Sequence, residues 1–117
     1  MTAQVPARGE IVLIDFEPNA GQEIGKRRPA IVMSHKQYNR RVGLVVVCPV
    51  TTKVSGYPFE VSIHSSKIAG AALADRFQTF DWRARHSQRV DRVTESVLSE
   101  ILGKFTALVG PLSDAMQ

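Results

Sequence analysis

Acidic residues are missing from one long part of this 117-residue chain: between Ile24 and Phe59 there is no Asp or Glu, yet Lys26, Arg27, Arg28, Lys36, Arg40, Arg41 and Lys53 fall there. That stretch carries +7 and, since the whole carries +4, the remainder carries −3. Cysteine is nearly absent too. The single Cys48 excludes an intramolecular disulfide, and its place in the apolar run from Leu44 predicts a buried thiol rather than a nucleophile. No segment approaches the eighteen or so apolar residues that span a bilayer, and Met1 to Pro6 lack a basic and apolar leader, so a cytoplasmic protein with no membrane association is expected. Repeats and low-complexity tracts are also missing. His35, His64 and His86 are far apart and have no cysteine partner or His-x-x-x-His spacing, so no metal site is expected.

What is there is one compact domain's worth of sequence, 44% hydrophobic and 22% charged, with a core over about residues 8–110. Glu10 to Phe16 is rich in β-branched residues and reads as a first strand. The polar loop from Glu17 to Arg28 is long for a hairpin, and such loops often carry function. Pro29 to Ser34 resumes as a strand, with proline at its first position, where a missing ladder donor is tolerated. Tyr38 to Arg41 reads as a loop. Gly43 to Cys48 is nearly all apolar and predicts a central strand stopped by Pro49. Phe59 to Ile63 alternates apolar and polar, and further short strands are expected over Ala71 to Ala74, Phe77 to Trp82 and Arg89 to Val93.

Only the C-terminal stretch has helical period. Val97, Leu98, Ile101, Leu102, Phe105, Leu108 and Val109 form one apolar stripe, with Thr94 as N-cap, Glu95 in the first turn and Gly110-Pro111 as the stop. Gly103 inside it is expected to permit close packing. Short strands in meander order followed by one amphipathic helix describe a mainly β fold, a small curved barrel closed or flanked by that helix.

The basic stretch points to a polyanion, because each phosphate neutralised by Lys or Arg releases condensed counterions. Lys26, Arg27 and Arg28 precede one strand, and Thr51, Thr52 and Lys53 follow another, so polar groups gather at strand ends. His35 lies in the same stretch and is a further candidate for RNA contact. Rings make up only 7% of the chain. Single-stranded RNA is read by stacking splayed bases on rings, and Phe16 and Tyr57, near predicted loops, are the candidates for that. Arg83 and Arg85, flanking the strand that ends at Trp82, are a second basic contact or a feature of a dimer edge.

Six motifs occur in order: Arg8-Gly9-Glu10-Ile11-Val12, Arg28-Pro29-Ala30-Ile31-Val32, Pro49-Val50-Thr51-Thr52, Gly56-Tyr57-Pro58-Phe59-Glu60-Val61, Ala72-Leu73-Ala74-Asp75-Arg76 and Asp81-Trp82-Arg83-Ala84-Arg85. Together they resemble the MazF/PemK (Kid) family of toxin endoribonucleases from toxin–antitoxin modules. The resemblance implies an SH3-like barrel of the CcdB/Kid/MazF type with a C-terminal helix, assembled as a homodimer. It implies cleavage of single-stranded RNA, usually messenger RNA, at a short sequence without metal or cofactor. The reaction it implies is attack by the substrate's own 2′-hydroxyl on the adjacent phosphorus, leaving a 2′,3′-cyclic phosphate and a 5′-hydroxyl.

Such a reaction needs proton removal from the 2′-hydroxyl, stabilisation of charge on phosphorus and protonation of the leaving 5′-oxygen. Arg28 matches the family's catalytic arginine, and its planar guanidinium suits two phosphate oxygens. Thr51 matches the catalytic threonine. Glu23 is the candidate for orienting Arg28 or assisting proton removal. Asp75 matches an aspartate with an acid or base role in the Kid branch, but the companion arginine and histidine positions hold Leu73 and Gln22. Asp75 is therefore structural or base-contacting, and Arg76, where the family often has glutamine, alters the expected sequence preference. The resemblance also implies a MazE-like antitoxin whose acidic, disordered tail competes for the phosphate sites. Two other readings remain open: a non-enzymatic CcdB-like gyrase-binding toxin, and a nucleic-acid-binding autoregulator with an idle catalytic pair.

Overall fold

The computed structural model describes residues 4–16 and 27–111. Among these residues, seven strands and two helices follow in the order β1 (Glu10–Asp15), β2 (Arg27–Val32), α1 (Lys36–Val42), β3 (Leu44–Thr51), β4 (Glu60–His64), β5 (Ala69–Leu73), β6 (Gln78–Asp81), β7 (Gln88–Arg92) and α2 (Glu95–Val109). Every strand pairing is antiparallel, and the sheet runs β4-β5-β3-β2-β1-β7 with β6 added beside β3. The outer strands β4 and β7 do not pair with each other, so the sheet is a curled half-barrel rather than a closed one.

The curl originates in β3. On one edge its residues Leu44 to Val47 pair with β6, and Val50 and Thr51 pair with β5. Cys48 and Pro49 lie between the two partners, and a proline without an N–H suits the place where a ladder is handed over. The expectation that Pro49 ends the strand is therefore corrected: β3 crosses it and reaches Thr51. Tyr38 to Arg41 is corrected as well. These residues lie within α1, whose C-terminus is closed by the left-handed Gly43, its N–H donating to the Asn39 carbonyl.

Both sheet faces are apolar, which explains why β2 and β3 read as unbroken hydrophobic runs. Alternate residues sort into two clusters. Ile11, Ile31, Cys48, Val50, Val61, Ile63 and Ala72 face α2, which contributes the buried Ile101 and packs Val97, Leu98 and Leu102 against them. Burying a side chain such as Ile101 stabilises by about 2 kcal/mol. Val12, Ile14, Ala30, Val32, Val45, Val47, Phe80 and Trp82 form the opposite cluster. There the fully buried Trp82 donates its indole N–H to the Asn39 carbonyl at 2.8 Å, tying α1 to the end of β6.

The helical stripe predicted for α2 is present. Thr94 caps it, its hydroxyl accepting from the Val97 N–H at 3.2 Å, and Phe105 stacks on Phe77 with centroids 4.1 Å apart. Gly103 departs from expectation. It is exposed, and a Cβ built on it would meet nothing within 4 Å, so no close packing offsets its cost of about 1 kcal/mol relative to alanine. Cys48 is buried as expected. Burial pushes its thiol up to about 12, which leaves it protonated and unreactive. Among the described residues, no helix is long and apolar enough to cross a membrane.

Candidate active site

The β2–β3 ladder ends at Ala30↔Pro49. Continuing that register two residues outward sets Arg28 opposite Thr51. Side chains alternate along a strand, so both project on the face of Ala30 and Val32. Beyond the last ladder pair the two strands leave a gap. It opens as two adjoining hollows of about 420 Å³ each, both walled by Arg28, Val50 and Thr51. Arg27, Thr52 and Lys53 complete one; Phe16, Pro49, Leu73, Arg76 and Gln78 complete the other.

Arg28 is exposed in this cleft, and no carboxylate among the described residues forms an ion pair with it. Thr51 is half-buried, and its hydroxyl oxygen accepts the Lys53 N–H at 3.1 Å. That bond fixes the oxygen and leaves the hydroxyl proton as the group to donate, to an anion in the cleft. Backbone satisfaction and ligand contact are thus compatible at this one residue.

Gly70 of β5 holds Thr51 from behind. A Cβ built on Gly70 would lie 2.2 Å from the Thr51 carbonyl oxygen, and its φ of 154° is one that side chains rarely adopt. Gly70→Ala is expected to destabilise the fold by roughly 1–3 kcal/mol and to depress activity beyond the loss of folded protein, because it pushes the Thr51 backbone. Thermal melts paired with turnover per folded molecule check this; full specific activity would show that Thr51 tolerates the shift.

The remaining walls are also positioned. Phe16 meets Phe80 edge-on with centroids 5.1 Å apart. Arg85 lies over the Phe80 ring at 4.8 Å and donates to the carbonyls of Asp15 and Phe16, at 3.1 and 3.0 Å. Arg76, exposed, sits 3.9 Å from Asp75. Asp75 accepts the phenol proton of Tyr57, and that bond raises the Tyr57 pKa because ionisation would break it. Glu60 organises the loop that presents Tyr57: it accepts the N–H groups of Ser55 and Gly56 at 3.1 and 2.9 Å, and these bonds hold its carboxyl below the usual range.

The cleft therefore gathers Phe16, Arg27, Arg28, Thr51, Lys53 and Arg76, with Asp75 and Tyr57 adjoining through Arg76. His35 is not among them. It lies beyond the far end of β2, past about 13 Å of strand from Arg28, with its Nε2 3.4 Å from an Arg8 nitrogen. Arg83 covers the Trp82 ring at 4.6 Å and lines neither hollow. Glu23 and Lys26 lie outside the described residues. Motif and composition mark none of Gln78, Gly70, Asp15 and His86 as part of this site. Asp15 carried a signal, an acid closing β1 where an arginine opens β2. Only the register Asp15↔Arg27 reveals it.

Asp15 is buried yet ionised. Burial raises its pKa, and hydrogen bonds from His86 and Arg27 more than offset this, holding the carboxyl below its usual value of 3.8. Among the described residues, no three His, Cys, Asp or Glu side chains cluster as metal ligands would.

A curled antiparallel half-barrel with a C-terminal helix, bearing an arginine and a threonine across a splayed strand pair, is the architecture of a class of small bacterial toxins. The profile of the PemK-like, MazF-like toxins of type II toxin–antitoxin systems matches residues 7–109, and the chain belongs to that family. It is similar to the endoribonuclease toxin MazF of Escherichia coli K12, 38% identical over 106 residues that cover 91% of this chain and 96% of that one. It is also similar to the endoribonuclease PemK of Escherichia coli, at 31% identity over 87% of this chain and 80% of the relative. Among solved structures it resembles a crystallised MazE–MazF complex from Deinococcus radiodurans, with a TM-score of 0.84 and 40% identity over 93% of this chain and all of that one. Its activity is that of a MazF-like endoribonuclease toxin, which decides against the gyrase-binding alternative.

Proposed function

We propose that this toxin cuts single-stranded RNA, messenger RNA in the main, at a short sequence and without a metal ion, by attack of the substrate's own 2′-hydroxyl. The reading rests on one observation, that Arg28 and Thr51 wall the same gap. The 2′-oxygen forms a bond to phosphorus as the bond to the 5′-oxygen breaks, the 2′-hydroxyl proton leaves, and a proton is delivered to the 5′-oxygen. Negative charge builds on the two non-bridging oxygens. The Arg28 fork faces them with fixed positive charge, and the Thr51 hydroxyl, its oxygen already held by Lys53, donates to one of them. Arginine remains protonated at neutral pH, so Arg28 stabilises charge rather than moving the proton. The Glu23 carboxylate is the base that the resemblance offers for taking the 2′-hydroxyl proton. Lys53 and Arg76 hold flanking phosphates, and Phe16 and Tyr57 offer rings to splayed bases.

The partner is an antitoxin with an acidic tail that covers the basic cleft, and the active assembly is a homodimer. The complexes of MazF relatives with MazE support the first of these. A mixed single-stranded RNA treated with the purified protein in excess EDTA should yield fragments whose new 5′ ends accept a kinase label directly. Cleavage abolished by chelation, or 5′-phosphate ends, would refute the mechanism.

A further inference from the structure

The structure gives Arg27 a different task from its neighbour Arg28. Arg27 borders the cleft beside Arg28, but its guanidinium is taken up by β1 and the turn at His86. One Arg27 nitrogen donates to Asp15 Oδ1 at 3.0 Å; the other donates to the carbonyls of His86 and Leu13, at 2.7 and 3.3 Å. His86 closes the ring of contacts, its Nδ1 lying 2.8 Å from Asp15 Oδ2. Asp15 is the buried centre, with its side chain 4% exposed against 26% for Arg27 and 62% for His86.

Two further features show that the grip is built in. His86 has φ 55°, the only positive φ outside glycine among the described residues, and that backbone turn aims its carbonyl at Arg27. Secondly, among the described residues the start of β2 pairs on one side only. Arg27 and Arg28 pair with Asp15 and Ile14 of β1, whereas pairing with β3 stops at Ala30. Whatever fixes Arg27 to β1 therefore sets how far Arg28 stands from Thr51. A point charge in place of the fork would keep the attraction to Asp15 but not the simultaneous bonds to two carbonyls.

We propose that Arg27, gripped by Asp15 and His86, is the positioning residue that holds Arg28 at its distance from Thr51, and that it takes no RNA phosphate itself. The inference rests on Arg28 being the arginine that stabilises the cleavage transition state. A positioning error of this kind lowers kcat with little change in KM, because the ground-state contacts of the RNA lie elsewhere.

The test uses the full chain and a fluorescent oligoribonucleotide carrying a cleavage site mapped with the unaltered protein. A copy with a 2′-deoxy residue at that site serves for binding. Arg27→Gln and Arg27→Lys are each expected to lose at least tenfold in kcat with KM within twofold. The salt dependence of binding should be the same for Arg27→Gln as for the parent. Asp15→Asn, altered at a buried position, should shift kcat in the same direction. Arg27→Lys at full kcat would overturn the proposal. So would Arg27→Gln with a raised KM and a salt slope reduced by about 0.7, the mark of one lost phosphate contact on a single strand. Should Arg27→Gln not fold, the two constants of Arg27→Lys decide alone. Arg28→Ala is run beside them: if it cleaves normally, the reading of the cleft fails, whatever Arg27 does.

Discussion

Arg28→Ala is expected to reduce RNA cleavage by about three orders of magnitude while leaving the protein folded. The size follows from what the guanidinium supplies. Removing one preorganised donor from a developing oxyanion costs about 10²–10³ in rate, and an arginine facing a transferring phosphoryl group is worth about 10³–10⁵. The fold should not notice. Arg28 is exposed and makes no ion pair among the described residues, and substitutions at such positions usually stay within about 0.5 kcal/mol. Single-turnover cleavage alongside a thermal melt separates the two quantities. Arg28→Lys sharpens the result, because lysine restores the charge but not the fork, and only a small part of the rate should return. Near-normal cleavage by Arg28→Ala would remove the transition-state role.

Trp82→Ala is expected to destabilise the protein by about 3–5 kcal/mol, the range for emptying a large aromatic from a core. Three effects add. The largest fully buried side chain leaves a void among Val12, Val32, Val45 and Val47. The Asn39 carbonyl, now without the indole N–H, loses a partner inside the protein. The third is the anchorage of α1, since Asn39 is also the residue whose amide donates to the carbonyls of Pro6 and Ser34, at 2.8 and 3.2 Å. For a chain of this size the melting temperature should fall by more than 10 °C. Trp82→Phe, which keeps most of the volume and drops the donor, should recover more than half of the loss. A melting temperature unchanged in Trp82→Ala would mean that this cluster contributes little to stability.

These two residues also show what is legible before any coordinates. Arg28 stands out because a basic run meets a proline and an apolar strand. Trp82 stands out only as a ring near a strand end, since nothing local says that its N–H is taken by a helix backbone 43 residues away. The same limit hid α1. Lys36 to Val42 is too short for a periodic stripe and polar enough to read as a loop; it becomes a helix because Asn39 is buried beneath the chain at Pro6 and beside Trp82. His35 was misleading for the opposite reason. Its place in the basic stretch suggests RNA, but the length of β2 separates it from Arg28, because the two lie toward opposite ends of one strand.

By itself the order of residues determined the mainly β class, the capped C-terminal helix, the buried thiol, the basic stretch and the family, because each is written in local period, composition or motif. Tertiary structure decided which of the basic and polar residues lie together. Arg28 and Thr51 come to line one gap only through the β2–β3 register, and the Arg27 guanidinium is held to β1 only through Asp15 and the turn at His86. Pairing between strands distant in sequence sets those relations, and a strand register depends on its partners rather than on the residues within it.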